Sequence, residues 1–207
     1  PRHGIINGMS HDFFDRMSKV LMIGDSGVGK TCLLQRFDKG EFRANTLPTI
    51  AIDFSVKSVS VGSKKLKMQI WDTAGQEKYN TLTSSFFKST NGVLVVFALD
   101  SRASFNSVSK WMGQISALAP KDVVVSLVGN KADLSKEREV ASEEGADLAK
   151  GFNCEYFETS AATGANVEKV FSNLAEKILA KQPTPAPPTR SIGSEFTQEK
   201  KEKGCCK

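Results

Sequence analysis

Eight consecutive residues, Gly24-Asp25-Ser26-Gly27-Val28-Gly29-Lys30-Thr31, limit what this chain can be more than any other stretch. They fit the G-x-x-x-x-G-K-[ST] pattern of a phosphate-binding loop. The apolar run Val20-Leu21-Met22-Ile23 before them reads as a strand, and Cys32-Leu33-Leu34-Gln35-Arg36-Phe37 after them as a helix. Glycines let the backbone curl around anionic oxygens and aim several N–H groups inward, while the helix N-terminus adds positive partial charge. Lys30 is expected to reach the β- and γ-phosphates of a nucleotide and the Thr31 hydroxyl to bind Mg²⁺. The plain alternative is a glycine-rich turn with a surface lysine, and the strand–loop–helix setting argues against it.

A chain of 207 residues has room for one domain of ordinary size with a proper core. Apolar content of 40% and charged content of 25% match a soluble protein. No apolar run approaches the ~20 residues of a membrane span, and the N-terminus lacks the apolar core of a secretory signal. Net charge is +5, with six basic residues against three acidic ones from Lys181 onward. That pattern is too local for a nucleic-acid footprint and suits an anionic membrane surface better. The four cysteines do not make a disulfide framework. Cys32 and Cys154 read as small core residues, and the adjacent Cys205 and Cys206 lie near the C-terminus. Such usage fits a reducing cytosol.

Residues 1–16 read as an N-terminal extension without clear periodicity. Pro1 is not an initiator methionine, so part of the extension is expected to be an expression remnant, with Met9 or Met17 as the expected natural start. Residues 17–180 alternate strands and helices. Phe54 and Val56 share one alternating face, and Val59 and Val61 continue after a phase shift; a turn at Gly62-Ser63 and the alternation of Leu66, Met68 and Ile70 complete a hairpin. Gly92 to Ala98 and Val123 to Val128 are near-continuous apolar runs of central strands, and Glu155 to Glu158 is a shorter strand. Phe105, Val108, Trp111, Met112, Ile115 and Leu118 form one helical stripe. Val167, Val170, Phe171, Leu174 and Ile178 form another, with Asn166 as N-cap. The expected fold is α/β: a doubly wound, mostly parallel six-stranded sheet with one antiparallel edge strand and helices on both faces. Residues 181–207 hold four prolines between Gln182 and Thr189, then polar sequence, and read as a flexible tail.

Further motifs follow the loop in order. Trp71-Asp72-Thr73-Ala74-Gly75-Gln76-Glu77 ends the hairpin's second strand. Asp72 is placed to hold Mg²⁺ through water, the Gly75 N–H to meet a γ-phosphate, and Gln76 to orient an attacking water. Thr49 lies between the loop and Asp72; its hydroxyl suits the Mg²⁺ shell, though alone it reads as an ordinary loop threonine. Asn130-Lys131-Ala132-Asp133 follows a buried strand. A carboxylate at Asp133 accepts from guanine N1–H and N2–H₂, and adenine would leave it unpaired, a discrimination of ~10⁴ or more. Asn130 is expected to tie this loop to the phosphate loop, and the Lys131 stem to cover the base. In Glu158-Thr159-Ser160-Ala161 the Ala161 N–H is placed to donate to guanine O6.

In these motifs the chain resembles a small GTPase of the Ras superfamily, most of all the Rab family, over residues 17–180. The Rab-like strings are Thr49-Ile50-Ala51-Ile52-Asp53-Phe54, Lys67-Met68-Gln69-Ile70-Trp71 and Trp71 to Tyr79, joined by Gly24 to Phe37 and the tail cysteines. Rabs of the secretory route are the nearest type. The resemblance implies a nucleotide contact set of Ser26, Gly27, Val28, Gly29, Lys30, Thr31, Cys32, Phe42, Thr49, Gly75, Asn130, Lys131, Asp133, Ser160, Ala161 and Ala162. Within it Phe42 packs on the guanine. Mg²⁺ is implied at Thr31, Thr49 and Asp72, and catalysis at Gln76 and Lys30. The loop from Phe42 to Ile52 matches switch I, and Gly75 to about Thr90 switch II.

The implied function is a GTP/GDP-dependent switch in vesicle trafficking that hydrolyses GTP to GDP and phosphate. No internal catalytic arginine is assigned, so intrinsic turnover is slow and an arginine from a partner adds ~10³–10⁵. An exchange factor, an activating protein, a GDP-dissociation inhibitor and effectors are implied at the switches, with the protein a monomer. Gly204-Cys205-Cys206-Lys207 is not a C-a-a-X box, but Cys205 and Cys206 match the Rab double-prenylation site, and two chains are what stable anchoring needs. The implied location is the cytoplasmic face of an endomembrane (Golgi, secretory vesicle or plasma membrane), in exchange with the cytosol. Three departures stand out: Ala51 where Rabs have Gly, Ala162 where they have Lys, and Phe86-Phe87-Lys88-Ser89-Thr90 for a more usual Tyr-Tyr-Arg-Gly-Ala. Ala51 keeps open a nucleotide-locked binding protein with negligible hydrolysis. A P-loop kinase or ATPase is the remaining alternative, and Asp133 argues against it.

Overall fold

The structure, a computed structural model, describes residues 14–43, 53–73 and 84–181. Among them six strands form one sheet in the order β2-β3-β1-β4-β5-β6. β1 is Arg16–Ile23, β2 Asp53–Val61, β3 Lys64–Asp72, β4 Gly92–Ala98, β5 Val124–Asn130 and β6 Glu155–Glu158. Only β2 runs antiparallel, pairing with β3 through the Gly62-Ser63 turn. The expected architecture holds. Helices α1 (Lys30–Lys39) and α6 (Val167–Lys181) take one face. Helices α2 (Ser84–Phe87), α3 (Arg102–Asn106), α4 (Val108–Leu118) and α5 (Ser142–Gly151) complete the set.

Every residue of β4 is buried, as a strand covered on both faces requires. Its alternation splits the core in two. Val20, Met22, Leu66, Met68, Ile70 and Val96 pack with Phe37 of α1 and Phe171 of α6, whose rings stack at 3.9 Å. Leu21, Ile23, Val93, Val95 and Phe97 pack with Trp111, Met112 and Ile115 of α4 on the other side. Each such side chain contributes roughly 1.5–3 kcal/mol by leaving water.

Three local expectations change. β2 keeps unbroken register with β3 from Asp53↔Asp72 to Val61↔Lys64, so no phase shift occurs. Strict alternation instead puts Val59 inward and leaves Phe54 and Val56 on the opposite face, 45% and 40% exposed. There Phe54 meets Trp71 edge-on at 5.0 Å, and Trp71 meets Phe86 at 6.2 Å. Lys19 Nζ donates to the Phe86 carbonyl at 2.7 Å, and burial lowers its pKa. The stripe from Phe105 to Leu118 is two helices that meet at Ser107, whose hydroxyl and backbone N–H both donate to the Ala103 carbonyl at 3.2 Å. Asn166 precedes α6 with φ 57°, and its side-chain amide donates to Glu158 O at 2.8 Å.

The motifs that follow β1, β3, β5 and β6 leave the carboxyl ends of parallel strands, where open α/β sheets bind ligands. α6 finishes at the opposite end: Lys181 Nζ donates to the carbonyl of Val123, just before β5 begins. No helix among the described residues is long and apolar enough to cross a membrane.

At the start of α5, Glu144 accepts the Ala141 N–H at 2.9 Å and a two-pronged Arg102 guanidinium at 2.6 and 2.8 Å. Arg102 first, then the Ala141 N–H, holds its carboxyl down to about 2. The folded state thus resists protonation, so this stabilisation is complete above the ordinary 4.5 and is lost as pH falls toward 2. Glu144→Gln is expected to flatten that acid limb in urea titrations across the same window, and an unchanged limb would refute the assignment. Gly24 sits at φ +143°, where an added Cβ would lie 2.0 Å from the Val96 carbonyl oxygen. Gly24→Ala should therefore lower unfolding stability by about 3 kcal/mol or more, read from the urea midpoint.

Candidate nucleotide-binding site

β1 delivers the chain to the loop at Ile23, and α1 begins at Lys30. Between them the backbone turns back under its own lysine. Lys30 Nζ donates to the carbonyls of Gly24 (2.7 Å) and Asp25 (2.8 Å), and the residue is 5% exposed. Burial pushes its ammonium down to about 8, against the opposing pull of Asp72 and Asp25. The first turn of α1 itself carries no acidic residue. Ser26 and Gly27 stand exposed at the crest of the loop, and Val28 tucks into the core. Asp25 is pinned from outside: its Oδ1 accepts the Trp111 indole N–H at 2.8 Å.

The second residue of α1 meets the last residue of β3. Thr31 Oγ1 donates to Asp72 Oδ2 at 2.5 Å, and Asp72 is fully buried. Next to it Thr73 Oγ1 donates to Met22 O at 2.8 Å, binding the end of β3 to β1. A hydroxyl and a carboxylate side by side are hard oxygen donors that suit Mg²⁺. That ion takes one or two protein oxygens and fills the rest of its shell with water and phosphate. No cluster of three His, Cys, Asp or Glu that would hold a metal unaided occurs among the described residues.

The base-reading motif arrives at the end of β5. Asn130 is buried, and its Nδ2 donates to Val28 O at 2.9 Å. Its Oδ1 accepts from Thr159 Oγ1 at 3.2 Å and from the Ala161 N–H at 3.3 Å. The expected tie between the loops is therefore present, and closer than the motif alone implies. Gly29 allows it: at φ +92°, a Cβ there would meet Asn130 Nδ2 at 2.4 Å. Asp133 is exposed, its Oδ1 held by the Ser160 hydroxyl at 2.5 Å. Lys131 pairs with Asp100 at 3.1 Å. A cavity of about 340 Å³ lies between the phosphate loop (Asp25 to Val28) and the segment from β4 into α3 (Asp100, Ser101, Ser104), with Lys131 at its border.

Two expected contacts look different in detail. The Ala161 N–H, expected at guanine O6, donates here to Asn130 across a long bond. Phe42 is 40% exposed beyond the end of α1. Cys32 Sγ lies 3.8 Å from the Arg43 carbonyl, and Ala162 is half-buried with its carbonyl accepting from Arg36. Thr49, Ala51, Gly75, Gln76, Cys205 and Cys206 lie outside the described residues.

Sequence reading passed over Trp111, placed in a core stripe, and Arg36, placed within α1. It also missed Arg138, whose guanidinium grips Glu158 at 2.9 and 2.7 Å at the head of the Glu158-Thr159-Ser160-Ala161 string. That grip holds the Glu158 carboxyl below its ordinary range. A tryptophan in an apolar stripe carries one hint, an N–H that needs a partner when buried.

Comparison with known proteins agrees with this geometry. A Ras family model matches residues 19–180. The chain is 42% identical over 184 residues to the Ras-related protein Rab-10 of Diplobatis ommata, covering 89% of this chain and 92% of that protein. It is 43% identical over 170 residues to the Rab-10 of Caenorhabditis elegans, 82% and 85% of the two chains. To the Ras-related protein Rab-26 of Bos taurus it is 40% identical over 202 residues, 97% and 79% of the two.

Asn130→Ala strands the Val28 carbonyl and the Thr159 and Ala161 donors. It should cost about 2 kcal/mol or more in urea unfolding and weaken GDP binding at least about tenfold. Unchanged GDP affinity, measured by calorimetry, would show that the tie does not organise the site.

Proposed function

This chain belongs to the Ras family, in its Rab group, and on that premise we propose how its residues do the work of a small GTPase acting in vesicle trafficking. Ras-superfamily GTPases bind GTP and GDP, generally with Mg²⁺, and this chain is a hydrolase of that kind. Lys30 and the N–H groups from Ser26 to Cys32 grip the β- and γ-phosphates. Thr31, Thr49 and Asp72 hold Mg²⁺, which when bound neutralises charge on those oxygens. Asp133 reads the guanine edge, Ser160, Ala161 and Ala162 border its O6 side, and Phe42 and Lys131 flank the ring. Gln76 positions the attacking water, Gly75 and Thr49 sense the γ-phosphate, and both switch segments relax once it leaves.

One observation carries the reading: the buried Asn130 amide bonds the phosphate loop at Val28 and the base loop at Thr159 and Ala161. A base reader held at fixed distance from a phosphate grip selects a whole nucleotide, not a phosphate alone. At the other end, Rab relatives are membrane-associated in trafficking. Prenyl groups on Cys205 and Cys206 would anchor residues 181–207 to the cytoplasmic face of an endomembrane, with exchange through the cytosol. An exchange factor, an activating protein, a GDP-dissociation inhibitor and effectors would meet the monomeric domain at its switches.

A single-turnover assay of the GTP-loaded protein tests the chemistry. Gln76→Leu should slow phosphate release about tenfold or more while GTP stays bound. Equal release from both proteins would remove Gln76 from its role, and preference for ATP over GTP in a binding competition would remove the guanine reading.

A further inference from the structure

Arg36 lies in the last turn of α1, beyond the phosphate loop and outside the residues assigned to nucleotide or Mg²⁺ contact. Its side chain does not face solvent alone. Nε donates to the Ala161 carbonyl at 2.7 Å, Nη2 to the Ala162 carbonyl at 2.6 Å, and Nη1 to the Gly40 carbonyl at 2.7 Å. Two of these acceptors belong to the loop after β6, about which the base is read. The third closes α1, where the Gly40 N–H also returns to the Arg36 carbonyl at 3.0 Å.

The base loop has its own internal bonds. Ser160 N–H donates to Ala165 O at 3.1 Å, Gly164 N–H to Ser160 O at 2.8 Å, and Thr163 N–H to the Ser160 hydroxyl at 3.0 Å. These shape the turn but leave the Ala161 and Ala162 carbonyls aimed at α1. Only a planar, permanently charged fork spans two successive carbonyls with parallel N–H groups, and such charge-assisted bonds are roughly twice as strong as neutral ones. The same Ser160 hydroxyl donates to Asp133 Oδ1. A continuous path therefore runs from α1 through Arg36 to residues 161 and 162, to Ser160, and to the carboxylate that faces guanine.

We propose that Arg36 is the positioning residue of the base loop, setting how long guanine nucleotide stays and how sharply guanine is told from a base lacking its 2-amino group. This rests on the guanine reading given above. α1 starts on the phosphates and, through Arg36, ends on the base loop, so one rigid element spans both halves of the ligand. Arg36 touches neither phosphate nor base and acts through the loop it holds.

The test uses the full chain and four nucleotide measurements: release of fluorescently labelled GDP, affinity for GDP, affinity for IDP, and melting temperature in excess GDP. IDP lacks the 2-amino group that Asp133 accepts. Arg36→Met should speed GDP release about tenfold or more and shrink the GDP-over-IDP preference at least about threefold. Arg36→Lys, with one charged donor group in place of a fork, should fall between it and the wild type. If Arg36→Met does not fold, Arg36→Lys decides by the same two readouts. Release within about twofold of wild type would overturn the inference. So would faster release with an unchanged GDP-over-IDP ratio, since that marks general loosening of the domain. A wild type that binds GDP no better than IDP sinks the guanine reading itself, and this inference with it.

Discussion

The site depends on a single buried carboxamide. Asn130 is 1% exposed and spends its donor on Val28 and its acceptor on Thr159 and Ala161. Three segments far apart in the chain converge on it: the loop after β1, the end of β5 and the loop after β6. A buried amide left unpaired costs roughly 1–3 kcal/mol, so none of the three can drift without penalty. Gly29 makes the approach possible, and Gly24 seats the opposite end of the same loop on β4. The phosphate loop is thereby clamped at both ends before any ligand arrives.

Charge completes what that clamp shapes. Lys30 is buried on two backbone carbonyls, which orient its ammonium and neutralise only part of it. Asp72 is close enough to favour the charged form yet is itself engaged with Thr31. A cation held in low dielectric attracts a polyphosphate more strongly than a surface lysine does. Mg²⁺ chemistry would enter through the same Thr31–Asp72 contact, so cation and anion sites share one corner.

Local patterns explain much of what the sequence reveals. The phosphate loop is legible because strand, glycines, lysine and helix are consecutive, and β4 because seven buried residues admit no polar one. Leu66, Met68 and Ile70 point inward as alternation demands. Where one strand serves two faces, alternation misleads: Phe54 and Val56 sit opposite Val59, and apolar character alone reads as a slipped register. The junction of α3 and α4 falls at Ser107, inside a stripe whose apolar spacing does not mark it. Arg36 and Trp111 are illegible for another reason. Their partners lie 125 and 86 residues away, and nothing in the neighbouring residues records a bond closed by the fold.

The sheet also gives the domain a direction. The candidate phosphate and base loops leave the carboxyl ends of β1, β5 and β6, whereas α6 runs out at the amino end of β5, with Lys181 resting on Val123. Between the two lies the packed core, with Val170, Phe171, Leu174 and Ile178 of α6 pressed onto the sheet. A pull on the chain beyond residue 181 therefore loads α6 and the sheet in shear, spread over many contacts. The base loop stands at the other end of the same helix, since α6 begins at Val167 directly after it. The fold thus puts the candidate nucleotide loops and the exit of α6 at opposite ends of one packed sheet, joined by the length of a single helix.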